Sequence, residues 1–350
     1  MRLLLVHHVV EDRGSAQDMY HYAIAARDLG HEVLLFGAAP GSSAYEWSRQ
    51  VDRADVVVFI FEWTTRLQYG DALDLTRLIA TVPREQRVVL DCDGRYNEAV
   101  DVDGDRNHLD AESSRCWIET CDALADTICQ PTLHPRRANV HPFLFHAYEP
   151  DWEVPLEPAG KEYGMCYVGN NWFRWKPVRR ILSALEPARG EVGRIALVGH
   201  GWNTPAPWAN ASLPQDAYEF DAGFLARLDV DVFPPVPFDE VIPQMGRGVF
   251  SPVVYRPLFD ELQLVTCRTF ETVAAGSIPL FAQEPSFVEE IYGTEGLELV
   301  LPREGGEAKI RDVLRRPDHY VAAVMEIRRR LAQEHSYHAR LAELLTIVKD

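Results

Sequence analysis

Residues 2–36, RLLLVHHVVEDRGSAQDMYHYAIAARDLGHEVLLF, contain two short apolar runs on either side of a segment with helical spacing. The runs RLLLV (2–6) and EVLLF (32–36) have the continuous apolar character of strands buried on both faces of a parallel sheet. Between them, apolar residues recur near helical spacing over residues 16–29, and Gly30 stops that helix. The order strand, helix, strand predicts a βαβ unit.

The same alternation continues along the chain and predicts an α/β protein with two Rossmann-like, doubly wound domains that face each other across a cleft. Its length of 350 residues also favours two domains over one core. The further predicted elements are strands 54–61, 87–91, 127–130, 164–169, 194–199 and 248–254, helices 72–80, 114–125 and 177–185, and a helix followed by a strand within 267–281.

The predicted domains are an N-terminal acceptor-side domain (1–150), a C-terminal nucleotide-sugar-binding domain (161–316) and a C-terminal helical segment (317–350). Residues 146–161 are rich in proline and charge, and we place the linker there. The amphipathic segment 318–347 has the length of two helices, which we expect to pack back across the domain junction.

The net charge of −18 argues against a nucleic-acid partner, because proteins that bind phosphate backbones usually carry a basic stripe. Six scattered cysteines have neither C-x-x-C nor zinc spacing, which favours reduced thiols in the cytoplasm. No run approaches the ~20 apolar residues of a membrane span, so we expect no integral membrane segment. The oligomeric state is not readable from these features.

Ligands of open α/β sheets bind beyond the carboxyl ends of the strands, where helix N-termini point outward. In the second half, the loops at this edge carry cations, amides and glycine-flanked backbone N–H groups, which suit a diphosphate. The candidate residues are Gly169, Asn170, Asn171, Arg174, Lys176, Gly199, His200 and Gly201.

The stretch CRTFETVAAGSIPLF (267–281) places Glu271 in an otherwise apolar run. We expect this carboxylate in the first turn of a helix, where it would either cap the helix or accept hydrogen bonds from the two hydroxyls of a ribose. Arg256 and Arg268 flank the preceding loop, and each could contact phosphate or pair with Asp260 or Glu261.

Four motifs in order across residues 164–345 resemble GT-B glycosyltransferases, especially the CgeB-like, spore-maturation-protein type. RTFETVAAGSIPL (268–280) resembles the nucleotide-sugar signature of that family, and YVGNNWFRWK (167–176) resembles the opening of its C-terminal domain. LVGHG (197–201) is similar to its glycine turn, and HSYHARLAELL (335–345) to its terminal helix.

The resemblance implies that Glu271 binds the donor ribose, together with the neighbouring Thr269 and Phe270, and that Lys176 binds the diphosphate. The family's arginine directly after the strand glycine is Asn170 here, and Arg174 is the candidate replacement. Retaining members often carry a glutamate eight residues before the ribose glutamate. Position 263 is Gln here, so that role is absent or passes to Asp260, Glu261 or Gln263 itself.

The first half is expected to hold the acceptor. Gly14 lies in the first strand–helix loop, where the backbone could approach the donor, and His7 and His8 end the first strand. An inverting mechanism needs a base on this side, for which His8, Asp12 and Asp93 are candidates. A retaining mechanism, which the resemblance implies, needs none.

The polar loop 91–112 is a second acceptor-side candidate, with Asp93, Arg95, Tyr96 and Asn107 as lining residues. Asp101, Asp103, Asp105 and Glu112 match four EF-hand positions, but the glycine is misplaced and the flanks do not fit. We therefore expect a solvated acidic loop and no metal.

No G-x-G-x-x-G or G-x-S-x-G motif supports a dehydrogenase or a hydrolase. The resemblance implies a glycosyltransferase, metal-independent and without a cofactor, that moves a sugar from a nucleotide diphosphate-sugar donor to a hydroxyl of a small molecule or glycan. The alternatives are a nucleotide-sugar epimerase or isomerase on the same fold and a GT-B-like binding protein without activity. The residues do not choose the nucleotide base, the sugar or the acceptor.

Overall fold

The computed structural model describes residues 1–7, 14–36, 47–48, 50–62, 81–207, 209 and 214–349. The helix predicted at 72–80 and the candidates His8 and Asp12 lie outside these residues. Within the described residues, no helix is long and apolar enough to cross a membrane.

In the described residues, the first half builds a sheet of seven parallel strands around the apolar runs found in the sequence. Its strands and the short hairpin beside them are β1 (Arg2–Val6), β2 (Glu32–Phe36), β3 (Trp47–Ser48), β4 (Val56–Phe61), β5 (Arg87–Asp91), β6 (Asp101–Val102), β7 (Asp105–Arg106), β8 (Thr127–Gln130) and β9 (Val140–Pro142). The order in the sheet is β3-β2-β1-β4-β5-β8-β9, and β6 and β7 form the separate antiparallel hairpin. The predicted strands are confirmed, but β3, β6, β7 and β9 were not predicted.

Two described helices accompany this sheet, α1 (Gly14–Asp28) and α2 (Ala111–Leu124). Gly14 therefore begins the first helix. Asp110 caps α2, accepting a hydrogen bond from the backbone N–H of Ser113 at 2.8 Å, which fixes where the polar loop ends.

The second half builds a parallel sheet of five strands. These are β10 (Tyr163–Val168), β11 (Ile195–Val198), β12 (Val230–Phe233), β13 (Gly248–Val253) and β14 (Ile278–Phe281). Their order, β12-β11-β10-β13-β14, is that of a doubly wound domain. The strand β12 was missed, because VDVF is short, its apolar run is interrupted by Asp231, and all four of its residues are only partly buried.

The helices of the second half are α3 (Trp175–Leu185), α4 (Arg189–Val192), α5 (Ala222–Arg227), α6 (Val241–Met245), α7 (Pro257–Glu261), α8 (Cys267–Ala274), α9 (Pro285–Tyr292), α10 (Gly306–Arg315), α11 (Pro317–Glu334) and α12 (Tyr337–Ile347). The last two correspond to the predicted helix pair. Tyr337, Leu341 and Leu344 of α12 are buried in the core of the first half, so the C-terminus returns to the N-terminal sheet.

The proposed linker packs closely along its neighbours. The backbone N–H of Tyr148 donates to His335 O at 2.8 Å, and that of Val154 donates to Ala274 O at 2.9 Å. A short 3-10 turn, Pro150–Trp152, lies between them. These contacts fix the linker against the C-terminal segment and the end of α8.

Candidate functional site

The carboxyl edge of the second sheet begins with two loops that lie in direct backbone contact. Gly199 has a φ of 142°, and a Cβ placed there would lie 2.4 Å from Gly169 O. Only glycine permits this approach. The side chain of Asn170 accepts a hydrogen bond from His200 N at 2.9 Å, and Asn171 donates to Gly201 O at 2.8 Å. The predicted amides thus join the loops after β10 and β11 and give this rim a fixed shape.

Three arginines lie near one another at this edge, each at the start of a different helix. Arg174 precedes α3, Arg256 precedes α7 and Arg268 lies in the first turn of α8. Burial, with the nearby charges of Arg256 and Arg268, lowers the pKa of Arg174. The Arg174 guanidinium donates to Asn170 O at 3.2 Å, and among the described residues no carboxylate lies within 4.0 Å of it. A partly buried cation without a carboxylate favours an anionic ligand.

Glu271 lies beside this arginine cluster and is 1% exposed. Arg268 Nη1 donates to its Oε2 at 2.6 Å. Helix α8 begins at Cys267, after the capping residue Thr266, so Glu271 lies in the second turn. The prediction of a first-turn position was therefore wrong, and so was the alternative in which Glu271 caps the helix. Thr266 and Thr269 form the cap instead.

The neighbours of Glu271 support the helix. Thr269 and Phe270 are fully buried. Thr269 exchanges a short side-chain hydrogen bond with Tyr255, and its carbonyl accepts from Tyr292 OH at 3.0 Å. Their side chains therefore anchor α8, and their role as donor ligands stays a prediction.

Lys176 lies on the exposed side of α3. Its Nζ is 3.2 Å from Asp216 and 3.6 Å from Asp103, and its side chain is 48% exposed. Asp103 belongs to the first half, so Lys176 connects the two halves at the rim. A contact between Lys176 and a diphosphate stays a prediction.

On the first sheet, Asp93 follows β5 at the carboxyl edge. Burial raises its pKa to about 6, an effect that Arg95 and Arg256 oppose and Glu62 and Asp91 reinforce. Its carboxylate makes no hydrogen bond or ion pair within the described part of the chain. A carboxylate with a pKa near neutrality and no partner is suited to accept a proton.

Buried side chains hold the loop between β5 and α2 together, whereas the sequence predicted a solvated loop. Asn107 is 1% exposed and donates to Gly94 O and Glu98 O, both at 3.0 Å. Tyr96 is fully buried and donates to Asp122. Both side chains hold the loop together, which leaves Asp93 and Arg95 as its partly exposed candidates.

Asp105 contradicts the expectation of a solvated acidic loop. It is fully buried and pairs with Arg256, whose expected partners were Asp260 or Glu261. The two residues are 151 positions apart, and no local spacing could predict the pair. Within the described residues, no cluster of three or more His, Cys, Asp or Glu side chains could hold a metal ion.

A buried cluster that sequence reasoning missed lies where the two halves meet. Asp18 of α1 accepts from His146 Nδ1 at 2.9 Å and from Tyr337 OH at 2.7 Å. Glu62 follows β4, and its Oε2 lies 3.3 Å from His7 Nε2. Glu62 could have been identified as a candidate from the sequence because it follows a strand. Nothing in the sequence marks Asp18 or His146 as candidates.

Comparison with known proteins gives the fold of the whole chain and a family similarity for its second half. Residues 174–346 match the family model described as glycosyl transferase-like. No curated protein is significantly similar to the chain in sequence.

Solved structures resemble the chain over its full length. The DNA-modifying enzyme beta-glucosyltransferase is 12% identical, with all of both chains covered and a TM-score of 0.60. T4 phage BGT in complex with UDP and Mn²⁺ is 11% identical, with all of both chains covered and a TM-score of 0.62. An alpha-glucosyltransferase in complex with UDP and a 13-mer DNA is 12% identical, with 100% of this chain and 99% of that one covered and a TM-score of 0.63.

At these identities the solved structures show the fold alone. The chain has a GT-B fold, and residues 174–346 are similar to a glycosyl transferase-like domain.

Proposed function

We propose that this protein is a glycosyltransferase that moves a sugar from a nucleotide diphosphate-sugar to a hydroxyl acceptor held by the first half of the chain. The observation that carries the proposal is the arginine cluster of Arg174, Arg256 and Arg268 beside Glu271. The arginines supply positive charge where a diphosphate leaving group develops negative charge. Glu271 lies next to them, where a ribose attached to that diphosphate would need an acceptor of hydrogen bonds.

The same cluster favours metal-independent transfer. Arg256 and Arg268 each pair with a carboxylate and, within the described residues, Arg174 does not, so the cluster keeps a net positive charge that can stabilise a leaving diphosphate without a divalent cation. The structure of T4 phage BGT has been solved with UDP and Mn²⁺, so the metal requirement of this chain has to be measured directly. Activity that survives EDTA supports the arginine route, and loss that Mn²⁺ or Ca²⁺ restores overturns it.

Asp93 favours an inverting course, in which it removes the proton of the acceptor hydroxyl. The family resemblance implied retention instead, which needs no base. The two courses differ in the anomeric configuration of the product, which NMR reads directly. Inversion supports Asp93 as the base, and retention assigns proton removal to the leaving phosphate.

The acceptor we propose is a small molecule or a glycan. Two relatives of the same fold are described with DNA, but the net charge of −18 opposes binding to a polyanion. Gel-shift and transfer assays with duplex DNA test this choice, and salt-sensitive binding coupled to sugar transfer would replace it with DNA.

The central experiment is a thermal-shift panel of UDP, GDP, TDP, ADP and CDP on wild type and Glu271→Ala. A ligand at about 100 Kd adds roughly 2.7 kcal/mol to the free energy of unfolding. We expect one nucleotide to stabilise the wild type and to stabilise Glu271→Ala much less. Glu289→Ala removes an exposed carboxylate of α9 and is the matched control.

Release of the free nucleotide diphosphate then separates the candidate activities. Release that requires an acceptor identifies a transferase, whereas epimerisation of the sugar without release identifies an isomerase. If no nucleotide stabilises the wild type, the chain is a binding protein that has kept the fold without the activity.

A further inference from the structure

The hairpin β6–β7 carries Asp105 from the acceptor-side half into the donor side. Asp105 is 0% exposed, although it belongs to a two-residue strand in a polar loop. Its Oδ2 accepts from Arg256 Nε at 2.9 Å and from the backbone N–H of Leu258 at 3.0 Å, and its Oδ1 accepts from Arg256 Nη2. A carboxylate buried this completely requires such partners, so the contact is specific.

Asp105 accepts hydrogen bonds from one edge of the Arg256 guanidinium and none from the other edge. Its hydrogen bonds engage Nε and Nη2, and within the described ranges no hydrogen bond involves Nη1. The Arg256 side chain remains 16% exposed. Aromatic rings complete its support, with the guanidinium carbon 4.8 Å from the centre of the Phe259 ring and 5.6 Å from that of Phe173. Arg256 is therefore held in one orientation with Nη1 available.

The same hairpin is joined to the turn that carries Asp93. Arg95 donates to Asn107 O, and Asn107 Nδ2 donates to Gly94 O at 3.0 Å. Arg256 in turn lowers the pKa of Asp93, against the larger effect of burial. One loop thus contacts the cation of the donor side and presents the free carboxylate of the acceptor side.

We propose that Asp105 is a positioning residue, supplied by the acceptor-side half, that orients Arg256 so that Nη1 binds the donor diphosphate. The proposal rests on the proposed function, because it assigns Arg256 to the diphosphate. It also explains why the polar loop is long: it has to reach the second domain and return to α2. The donor site of the second half is then incomplete without the first.

A double-mutant cycle tests this role, with Asp105→Asn, Arg256→Gln and the double variant. Affinities for UDP and for inorganic pyrophosphate are measured by calorimetry, and the fold is checked by thermal unfolding. If Asp105 acts through Arg256, Asp105→Asn weakens pyrophosphate binding about tenfold in the wild-type background and has no further effect when Arg256 is Gln. A merely structural role predicts the same loss in both backgrounds and overturns the proposal.

The control is Glu98→Gln, which removes an exposed carboxylate of the same loop and is expected to change neither affinity. Asp105→Glu keeps the charge and is expected to recover part of the loss. If Arg256→Gln alone leaves both affinities unchanged, Arg256 does not bind the diphosphate, and the proposed donor site fails. If Arg256→Gln weakens binding but Asp105→Asn does not, the donor site stands and only the positioning role fails.

Should Asp105→Asn unfold the protein, Leu258→Pro supplies a second variant. It removes the backbone N–H that donates to Asp105 and leaves both charged side chains, and Leu258→Ala, which loses the same buried side chain but keeps the N–H, is its control. An intermediate loss of pyrophosphate affinity is expected, and unchanged affinity in a folded Leu258→Pro protein counts against the positioning role.

Discussion

At the scale of single residues, Asp93 differs from the other carboxylates of its loop because it is partly buried and, within the described residues, lacks a partner. Its pKa of about 6 places its titration within the range of ordinary assays. The ionised form accepts a proton, so a base of this kind is active above its pKa and inactive below it.

We expect kcat/KM to fall about tenfold for each pH unit below roughly 6 if Asp93 is the base, because the protonated fraction is inactive. Asp93→Asn is expected to lower kcat on the order of 10²–10⁴-fold. Initial rates from pH 4.5 to 8.5 measure both effects, with Glu98→Gln as the control that keeps the wild-type profile. A fully active Asp93→Asn enzyme with a flat profile would assign proton transfer to the leaving phosphate.

The location of single residues could be predicted where they follow strands. Asp93, Arg174 and His200 lie at the carboxyl edge of a parallel sheet, which is a known place for ligands, and their roles there stay predictions. The partner of Arg256 was not predictable, because Asp105 is 151 positions away and the sequence carries no information on such a contact. Glu271 was found, but its place in the helix was wrong because the cap at Thr266 was not recognised.

At the scale of elements, continuous apolar runs predicted the central strands. Strands buried on both faces have no polar face, so no polar residues interrupt the apolar run. The short strands β3, β6, β7, β9 and β12 were missed for the opposite reason. They lie at sheet edges or in the separate hairpin, where two to four residues of mixed character give no period. The hairpin carries the proposed positioning residue Asp105, although its two-residue strands give little signal in the sequence.

The junction of the loops after β10 and β11 is expected to depend on Gly199. Gly199→Ala introduces a Cβ that would lie 2.4 Å from Gly169 O, at a φ of 142°. We expect a loss of about 1–3 kcal/mol in the free energy of unfolding, because backbone atoms must separate to relieve the clash. We also expect weaker nucleotide binding, since Asn170 and His200 move with the loops.

Gly190→Ala is the matched control for this prediction. A Cβ at Gly190 meets no atom within 4 Å, and the residue lies in helix α4. Alanine at such a position is expected to stabilise the protein by roughly 0.5–1 kcal/mol. Chemical denaturation of both variants gives the comparison, and equal stability of the two would show that the loops tolerate a wider separation.

At the scale of the whole molecule, the two halves are joined by buried polar contacts as well as by apolar packing. Asp18 of α1 binds His146 of the linker region and Tyr337 of α12, so one carboxylate connects three segments that are far apart in sequence. Burial alone would lower the pKa of His146, but the carboxylates of Asp18, Glu62 and Glu271 outweigh it and raise the pKa. The folded protein therefore holds the proton of the His146 imidazolium more strongly than the unfolded chain does.

This arrangement makes the stability of the junction depend on pH with a definite sign. An unfolded histidine titrates near ~6.5, and a raised folded pKa contributes stability that is complete below that value and is lost as pH rises through the folded pKa. We expect His146→Gln to destabilise the protein most at pH 5.5, and the difference from wild type to shrink toward pH 8.5. His338→Gln is the control, because its pair with Asp28 is 47% exposed on the histidine side and solvent screens it. Urea titrations across this range measure the difference, and a constant cost of His146→Gln at every pH would mean that shape and hydrogen bonding, not charge, hold the junction.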